Sequence, residues 1–343
     1  MTSTHWKDYT LTGEHSASDG TQPVWYTPDL DRKTLKTLMK RSDSPALANY
    51  GLWIGLILAL GALTVTTWGS AWGVVWLLVY SAVHQSATAR QHELGHGTPF
   101  RTRWINEMFF HFSSFITLSE GHYYRWRHAR HHTHTIIVGK DPEIQSPRPP
   151  EIVSLLINLF NLKTVVLTTR DFLRRAAGDL GQGKHFIPEG EQPKVIRAAR
   201  IYLGLIVLIV VACVVTGSLL PLLLTIGPRV IGAPLYAVLH FTQHAGLDED
   251  VRDHRLNSRT IYMNPMLRFL YANMNYHVEH HIFPMVPYYR LPELHALIKD
   301  QCPEPKHGLL DAYRDIAPTL LKQLKDPSYH LRPALPEAAI AAE

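Results

Sequence analysis

The chain has 343 residues, a formal net charge of +5, 21 histidines and only two cysteines, with charged residues at 18%. Its Lys and Arg residues are not gathered with aromatic side chains in any one stretch, so no nucleic-acid partner is expected. Cys213 and Cys302 form no CxxC, which excludes a disulfide framework and makes thiolate metal sites unlikely; a reducing compartment is the simple reading.

In chain order, residues 1–49 read as a cytosolic N-terminal arm. It is polar and loose to about residue 30, with no signal-peptide pattern. A short basic amphipathic stretch over 31–49 follows, carrying Arg32, Lys33, Lys36, Lys40 and Arg41. From Tyr50 to Ala89 there is no Lys, Arg, Asp or Glu. That run is long enough for two membrane passes of about 20 residues each. Gly69-Ser70 marks the turn of this first hairpin, about 50–90, and Trp68 and Trp72 suit the aromatic belt of a bilayer interface. A second apolar block, about 201–245, is interrupted by Gly227-Pro228-Arg229 and reads as a second hairpin. Its turn falls at Gly217-Ser218 or at Gly227-Pro228. Between the hairpins, Trp104–Leu118 and Ile152–Leu167 are apolar but short, and read as interfacial helices. Residues 50–330 form one membrane domain, and the Ala/Pro-rich segment 331–343 reads as a disordered tail.

Of the 34 Lys and Arg residues only Arg229 lies inside an apolar block. Two hairpins place the other 33 on one face, and the positive-inside rule makes that face, with both termini and the 90–200 region, cytoplasmic. The expected fold is an all-α membrane protein: two transmembrane helical hairpins under a cytosolic helical cap.

Four histidine groups stand out: His92-Glu-Leu-Gly-His96, His128-Ala-Arg-His131-His132, His240-Phe-Thr-Gln-His244 and His277-Val-Glu-His280-His281. Spacings of three and four residues put rings on one face of a helix. All four groups fall at span ends or in cytoplasmic segments, where they can converge on one boundary. His84, His111, His122 and His134 are ambiguous between ordinary residues and metal ligands or residues that support a ligand. His5, His15, His185, His254, His295, His307 and His330 read as ordinary surface or hydrogen-bonded residues. Imidazole alone suits Zn, Cu, Fe or Ni. Nine or ten imidazoles exceed what one ion can hold, so two ions are implied. The lack of a Glu-and-ExxH ligand cluster argues against a soluble carboxylate-bridged bundle.

These motifs resemble the membrane fatty acid desaturase/hydroxylase superfamily: HxxxH, HxxHH, a further His near the last span, then HxxHH. The neighbouring residues Gln243-His244-Ala245-Gly246, Asn275-Tyr276-His277 and His281-Ile-Phe-Pro284 resemble it as well, and the likeness covers roughly residues 50–300. It implies a di-iron site with nine histidine ligands: His92, His96, His128, His131, His132, His244, His277, His280 and His281. His240 is a tentative tenth. It also implies an O2-dependent oxidoreductase acting on an unactivated C–H bond, with desaturation of a fatty acyl chain the leading expectation. The alternatives are a hydroxylase or demethylating oxygenase of a small compound, similar to the rhizopine oxygenases, or of a carotenoid. No His-Pro-Gly-Gly haem motif is present, so an external ferredoxin-type donor and its reductase are expected, with Arg125, Arg127, Arg130 and Lys140 as a docking patch. The implied location is a bacterial inner membrane, with the active site cytoplasmic. Asp141, Glu143, Glu93 and Glu279 are near enough in sequence to orient bound imidazoles.

Two readings from other classes compete. His92-Glu93-Leu-Gly-His96 also fits HExxH, the ligand pair and general base of a zinc protease. That reading lacks an aspartate in a span and leaves both HxxHH groups unexplained. A metal transporter needs ionisable ligands near the bilayer midplane, where only His84 and Arg229 are expected.

Overall fold

The structure is a computed structural model that describes residues 7–11 and 24–336. Among these residues it is helical, without strands; only two isolated bridges occur, Thr260 with Tyr276 and Ile261 with Lys306. The helices are α1 (Arg32–Leu38), α2 (Asp43–Thr66), α3 (Ala71–Gln85), α4 (Ala87–His96), α5 (Arg103–Ile116), α6 (Gly121–Thr133), α7 (Ile152–Leu159), α8 (Leu162–Ala176), α9 (Gln192–Thr216), α10 (Leu220–Thr225), α11 (Pro228–Ile231), α12 (Ala233–Phe241), α13 (His254–Asn257), α14 (Pro265–Leu270), α15 (His277–Ile282), α16 (Leu291–Ile298) and α17 (Leu309–Gln323). The chain resolves into two compact units: Ser42–Trp126 with Val153–Val238, here the apolar unit, and Met1–Arg41, Arg127–Ile152 and Leu239–Glu343, here the histidine unit.

In the apolar unit, α2 and α3 form the first hairpin. Gly69 takes the left-handed conformation at the turn, and the Ser70 hydroxyl caps α3 by accepting from Gly73 N. The indole of Trp53, itself wholly buried, donates to Val83 O at 3.0 Å and fixes the two helices side by side. The second hairpin leaves along α9 and turns at Gly217 (φ +60°), where Gly217 N and Ser218 N satisfy the last free carbonyls of the helix. Of the two turn positions open in the sequence, this is Gly217-Ser218. The return is made of α10, α11 and α12, because Gly227-Pro228 interrupts the helical ladder. Gly232 is required by a close approach: a Cβ there would collide with the carbonyl oxygen of Ser81 on α3.

Two helical stretches, Arg32–Thr66 and Glu189–Thr216, are long and apolar enough to cross a membrane; a third is available if the pair α7–α8, bent by 82°, acts as one span. The 15 residues of α3 rise only about 22 Å, less than the roughly 30 Å of a bilayer's hydrocarbon core. Large apolar side chains stand exposed along these helices, among them Leu52 and Leu58 on α2, Val74 and Leu78 on α3, and Val214 and Val215 on α9. A continuous surface of this kind is costly in water and suits lipid. The two short apolar segments between the hairpins form α5, whose outer face carries exposed Trp104, Met108 and Phe112, and the bent pair α7–α8. Arg229, the sole cation of the second block, is buried and donates to the Thr168 hydroxyl on α8 at 2.9 Å.

In the histidine unit the described parts of the N-terminal arm are fastened down, contrary to the expectation of a loose arm. Lys7 pairs with Asp250 at 2.6 Å, the Tyr9 hydroxyl donates to Glu249 at 2.8 Å, and Tyr26 N donates to Arg252 O at 3.1 Å. Tyr26 also lies under the guanidinium of Arg255, 3.2 Å from ring centroid to Cζ. The basic stretch is divided: α1 starts under a cap from Asp31, while α2 begins separately at Asp43. Most of the expected disordered tail, 337–343, lies outside the described residues; Leu331 N donates to Gly246 O at 2.8 Å.

Candidate metal centre

Two short helices carry six of the histidines of this unit. The last two turns of α6 present His128, His131 and His132. The helix α15, which is almost nothing but its motif His-Val-Glu-His-His-Ile, presents His277, His280 and His281. Each uses its three- and four-residue spacing to aim the rings one way. His244 lies just beyond the end of α12.

The rings gather into two groups. His128, His132 and His280 form one: His132 Nε2 stands 3.0 Å from His128 Nε2 and 3.2 Å from His280 Nε2. His131, His244, His277 and His281 form the other, with His277 Nε2 3.0 Å from both His244 Nε2 and His281 Nε2. The rings of His132 and His281 stack at 4.3 Å between centroids, so the groups are neighbours.

The Nδ1 atoms fix the tautomers of four of these rings. His244 Nδ1 lies 2.7 Å from Asn257 O, a carbonyl that can only accept, so Nδ1 bears the proton and Nε2 the lone pair. His131 Nδ1 donates to Asp141 at 2.8 Å, and His128 Nδ1 to Glu143 at 3.1 Å. His281 Nδ1 lies 3.2 Å from the Thr135 hydroxyl, which itself donates to His131 O and therefore accepts from the imidazole. In all four the proton on Nδ1 leaves Nε2 as the atom with the lone pair, turned toward its group. Burial, the largest influence on His131, disfavours its charged form, but the Asp141 carboxylate outweighs it and the pKa is raised. Burial and then the neighbouring His132 hold His281 well below the ordinary imidazole value, in the neutral form that binds metal.

The donor set and spacing fit a metal ion. With a metal–nitrogen bond of about 2.1 Å, adjacent ligands at right angles are about 3.0 Å apart, and tetrahedral ligands about 3.4 Å. The observed 3.0–3.2 Å separations fall nearer the right-angled arrangement.

His92 and His96 belong to the apolar unit. They stand one turn apart on α4, with ring centroids at 5.4 Å. Gly97 ends this helix in the left-handed conformation. The helix is unusually polar for a buried one, with Arg90, Gln91, His92 and Glu93 all buried. Arg90 packs over the Trp53 ring at 4.7 Å and donates to the Ser86 hydroxyl, and the Gln91 amide donates to Ser119 O. Glu93 is buried, 3.7 Å from His92 Nδ1.

His240 is not in either group. The spacing from His240 to His244 assumes one helix, but α12 ends at Phe241 and the following turn carries His244 away. His240 Nε2 meets the side-chain amide of Gln145 instead. Both line a pocket beside His244, with Ser146, Arg148 and Phe241.

Of the four carboxylates picked by proximity, Asp141 and Glu143 hold imidazoles of the two groups and Glu93 lies beside His92. Glu279 does not serve a gathered ring: it binds His295 Nδ1 at 2.5 Å and the Thr260 hydroxyl at 2.6 Å. His295, expected as a surface or hydrogen-bonded residue, is the latter, the buried partner of Glu279. His254 is also more than a surface residue. Buried and pushed down to about 3 by that burial, it lies between Trp25, stacked at 4.2 Å, and His281, 5.1 Å away. No spacing rule points to His254 or Trp25, because their partners are distant in sequence. The expected docking patch is largely engaged: Arg125 pairs with Glu107, Arg127 with Glu143, and Arg130 donates to Lys140 O.

Comparison with known proteins agrees with this geometry. The model of the family described as fatty acid desaturase matches residues 66–312. The chain belongs to the fatty acid desaturase family. The Delta(6)-fatty-acid desaturase fat-3 of Caenorhabditis elegans is 32% identical over 78 residues, which are 22% of this chain. The match spans 18% of that relative's length.

Proposed function

We propose that this protein is an O2-dependent oxidoreductase that uses two iron ions to oxidise an unactivated C–H bond, with desaturation of a fatty acyl chain as its reaction. The observation that carries the reading is the convergence of seven imidazoles in two adjacent groups, separated by 3.0–3.2 Å at Nε2. Family membership supports the reaction type, and the relative's name supports the acyl substrate. The proposed ligands are His92, His96, His128, His131, His132, His244, His277, His280 and His281, of which His92 and His96 enter on their sequence spacing. His240 is left out because Gln145 occupies its Nε2.

An iron pair supplies the reductive activation of O2, a chemistry no side chain provides. The chain's own residues prepare for it. Asp141, Glu143, Thr135 and Asn257 O hold protons on Nδ1 and turn Nε2 inward. Burial of His131, His277, His280 and His281 keeps bulk water away. Exposed apolar helices α2 and α9 hold the protein in a bilayer, where an acyl chain is delivered, and charge placement sets the histidines on the cytoplasmic side. The two electrons come from an external ferredoxin-type carrier. The zinc-protease reading uses only His92, Glu93 and His96, and gives the seven gathered histidines no task.

The test is product analysis by mass spectrometry in a host supplied with a ferredoxin and its reductase, with acyl substrates and labelled O2. A new double bond without label in the lipid is expected, and no conversion under argon. Conversion without O2, or cleavage of peptides in place of lipid oxidation, contradicts the proposal.

A further inference from the structure

One loop, Thr135–Glu143, reaches three of the gathered histidines from outside. Thr135 Oγ1 accepts from His281, Asp141 Oδ2 from His131, and Glu143 Oε2 from His128. His131 and His281 belong to the group of four, and His128 to the group of three. The loop therefore touches both groups.

Asp141 binds the loop on both sides of itself, to Glu143 and to Ile136, the residue next to Thr135. Asp141 Oδ2, besides holding His131, accepts from Ile136 N at 2.8 Å, and Asp141 Oδ1 accepts from Glu143 N at 2.7 Å. Asp141 N donates back to Ile137 O at 3.0 Å. The conformation is costly. Ile136, a β-branched residue, has φ +55°, in the left-handed region that such side chains avoid. It is retained because the loop is pinned from several sides: Asp250 N donates to Ile136 O, Val138 N to Asp250 Oδ1, Asn257 Nδ2 to Thr135 O and Arg127 Nε to Glu143. Strain held in place by so many bonds, beside a candidate site, points to a shape the site needs.

We propose that Thr135–Glu143 is a single positioning element that sets ring direction in both histidine groups together, with Asp141 as its keystone, so that the two metal sites form or fail as a pair. This rests on the two-metal reading above. Asp141 touches His131 directly and reaches His128 through Glu143, so its loss disturbs both groups. Thr135 and Glu143 each guard one ring, and their effects depend on Asp141 being intact.

The experiment compares wild type with Asp141→Asn, Thr135→Val, Glu143→Gln and the double variants, each checked for helicity and melting. Ferrous ion is titrated against a colorimetric chelator, and Co(II) is loaded separately to read ligand-field bands, which report ligand orientation. Removing a group that orients a metal-bound imidazole typically costs about 10–100-fold in metal affinity. Asp141→Asn is expected to weaken binding of both ions by a factor of that order and to shift the cobalt bands. Adding Glu143→Gln to it is expected to cost little more. If Asp141→Asn fails to fold, Thr135→Val and Glu143→Gln carry the test: each is expected to weaken both ions. Two ions bound with wild-type affinity and bands in the folded variants, or independent additive losses at one ion each, overturns the inference alone. A wild-type chain that binds no metal overturns the two-metal reading and this inference with it.

Discussion

Replacing Asp253 by alanine is expected to be the most damaging change outside the histidines themselves. Arg255 is wholly buried, and Asp253 holds it by a forked pair: Oδ2 accepts from Nη2 at 2.7 Å and Oδ1 from Nε at 3.0 Å. The same carboxylate caps α13 through Arg255 N at 2.9 Å. Alanine leaves the guanidinium with only Gln301 O and the face of Tyr26. Removing one partner of a buried pair costs about 3–5 kcal/mol, and loss of the cap adds about 1 kcal/mol. The exposed pair Arg290–Glu293 is the control, for which about 0–1 kcal/mol is expected. The consequence reaches the site, because α13 carries His254 and Asn257, whose carbonyl fixes His244. Thermal unfolding in detergent micelles, followed by circular dichroism, would compare Asp253→Ala, Glu293→Ala and the double variant Asp253→Ala/Arg255→Met. A large drop, little change and substantial recovery are expected in that order. The reasoning is refuted if Asp253→Ala melts like Glu293→Ala.

Gly232→Ala places a methyl against Ser81 O and must push α11 from α3; a loss of about 1–3 kcal/mol is expected in the same melting assay, and an unchanged melt would remove the close approach. Glu120 is buried and pushed up to about 7 by that burial, although His122 N and Tyr123 N donate to it. Its folded pKa lies above the unfolded value, so its contribution is complete below about pH 4.5 and is lost as pH rises through about 7. Against Glu120→Gln, wild type should lose on the order of 3 kcal/mol between pH 4.5 and 7.5; a constant difference would show that Glu120 is ionised throughout. His131→Ala should abolish turnover and lower iron content, whereas His240→Ala should keep its iron; equal iron loss in both would return His240 to the ligand set.

The sequence reveals the parts of this molecule governed by local rules. Forty uncharged residues mark the first hairpin because a bilayer selects for length and apolarity, and three- and four-residue spacing marks the rings because helical geometry is periodic. The second hairpin's return was ambiguous because Gly217 and Gly227 both carry turn chemistry, and only packing against α3 and α9 distinguishes them. The same helical rule puts His240 beside His244, because it cannot see that α12 stops at Phe241. The partners of His254, His295 and Trp25 are not legible in the sequence because they lie across long stretches of chain, as Trp25 does from His254 and His295 from Glu279. The N-terminal arm reads as loose because it has no apolar period, yet among its described residues Lys7, Tyr9 and Tyr26 make specific polar and ring contacts.

The central claim is that the histidines hold two irons. Its most direct test is metal analysis of the purified chain after anaerobic ferrous loading and removal of loose metal, with Mössbauer spectra of the same sample. Two irons per chain in nitrogen-rich, high-spin ferrous sites is the predicted result. A single metal per chain, or zinc supporting full activity, would contradict it.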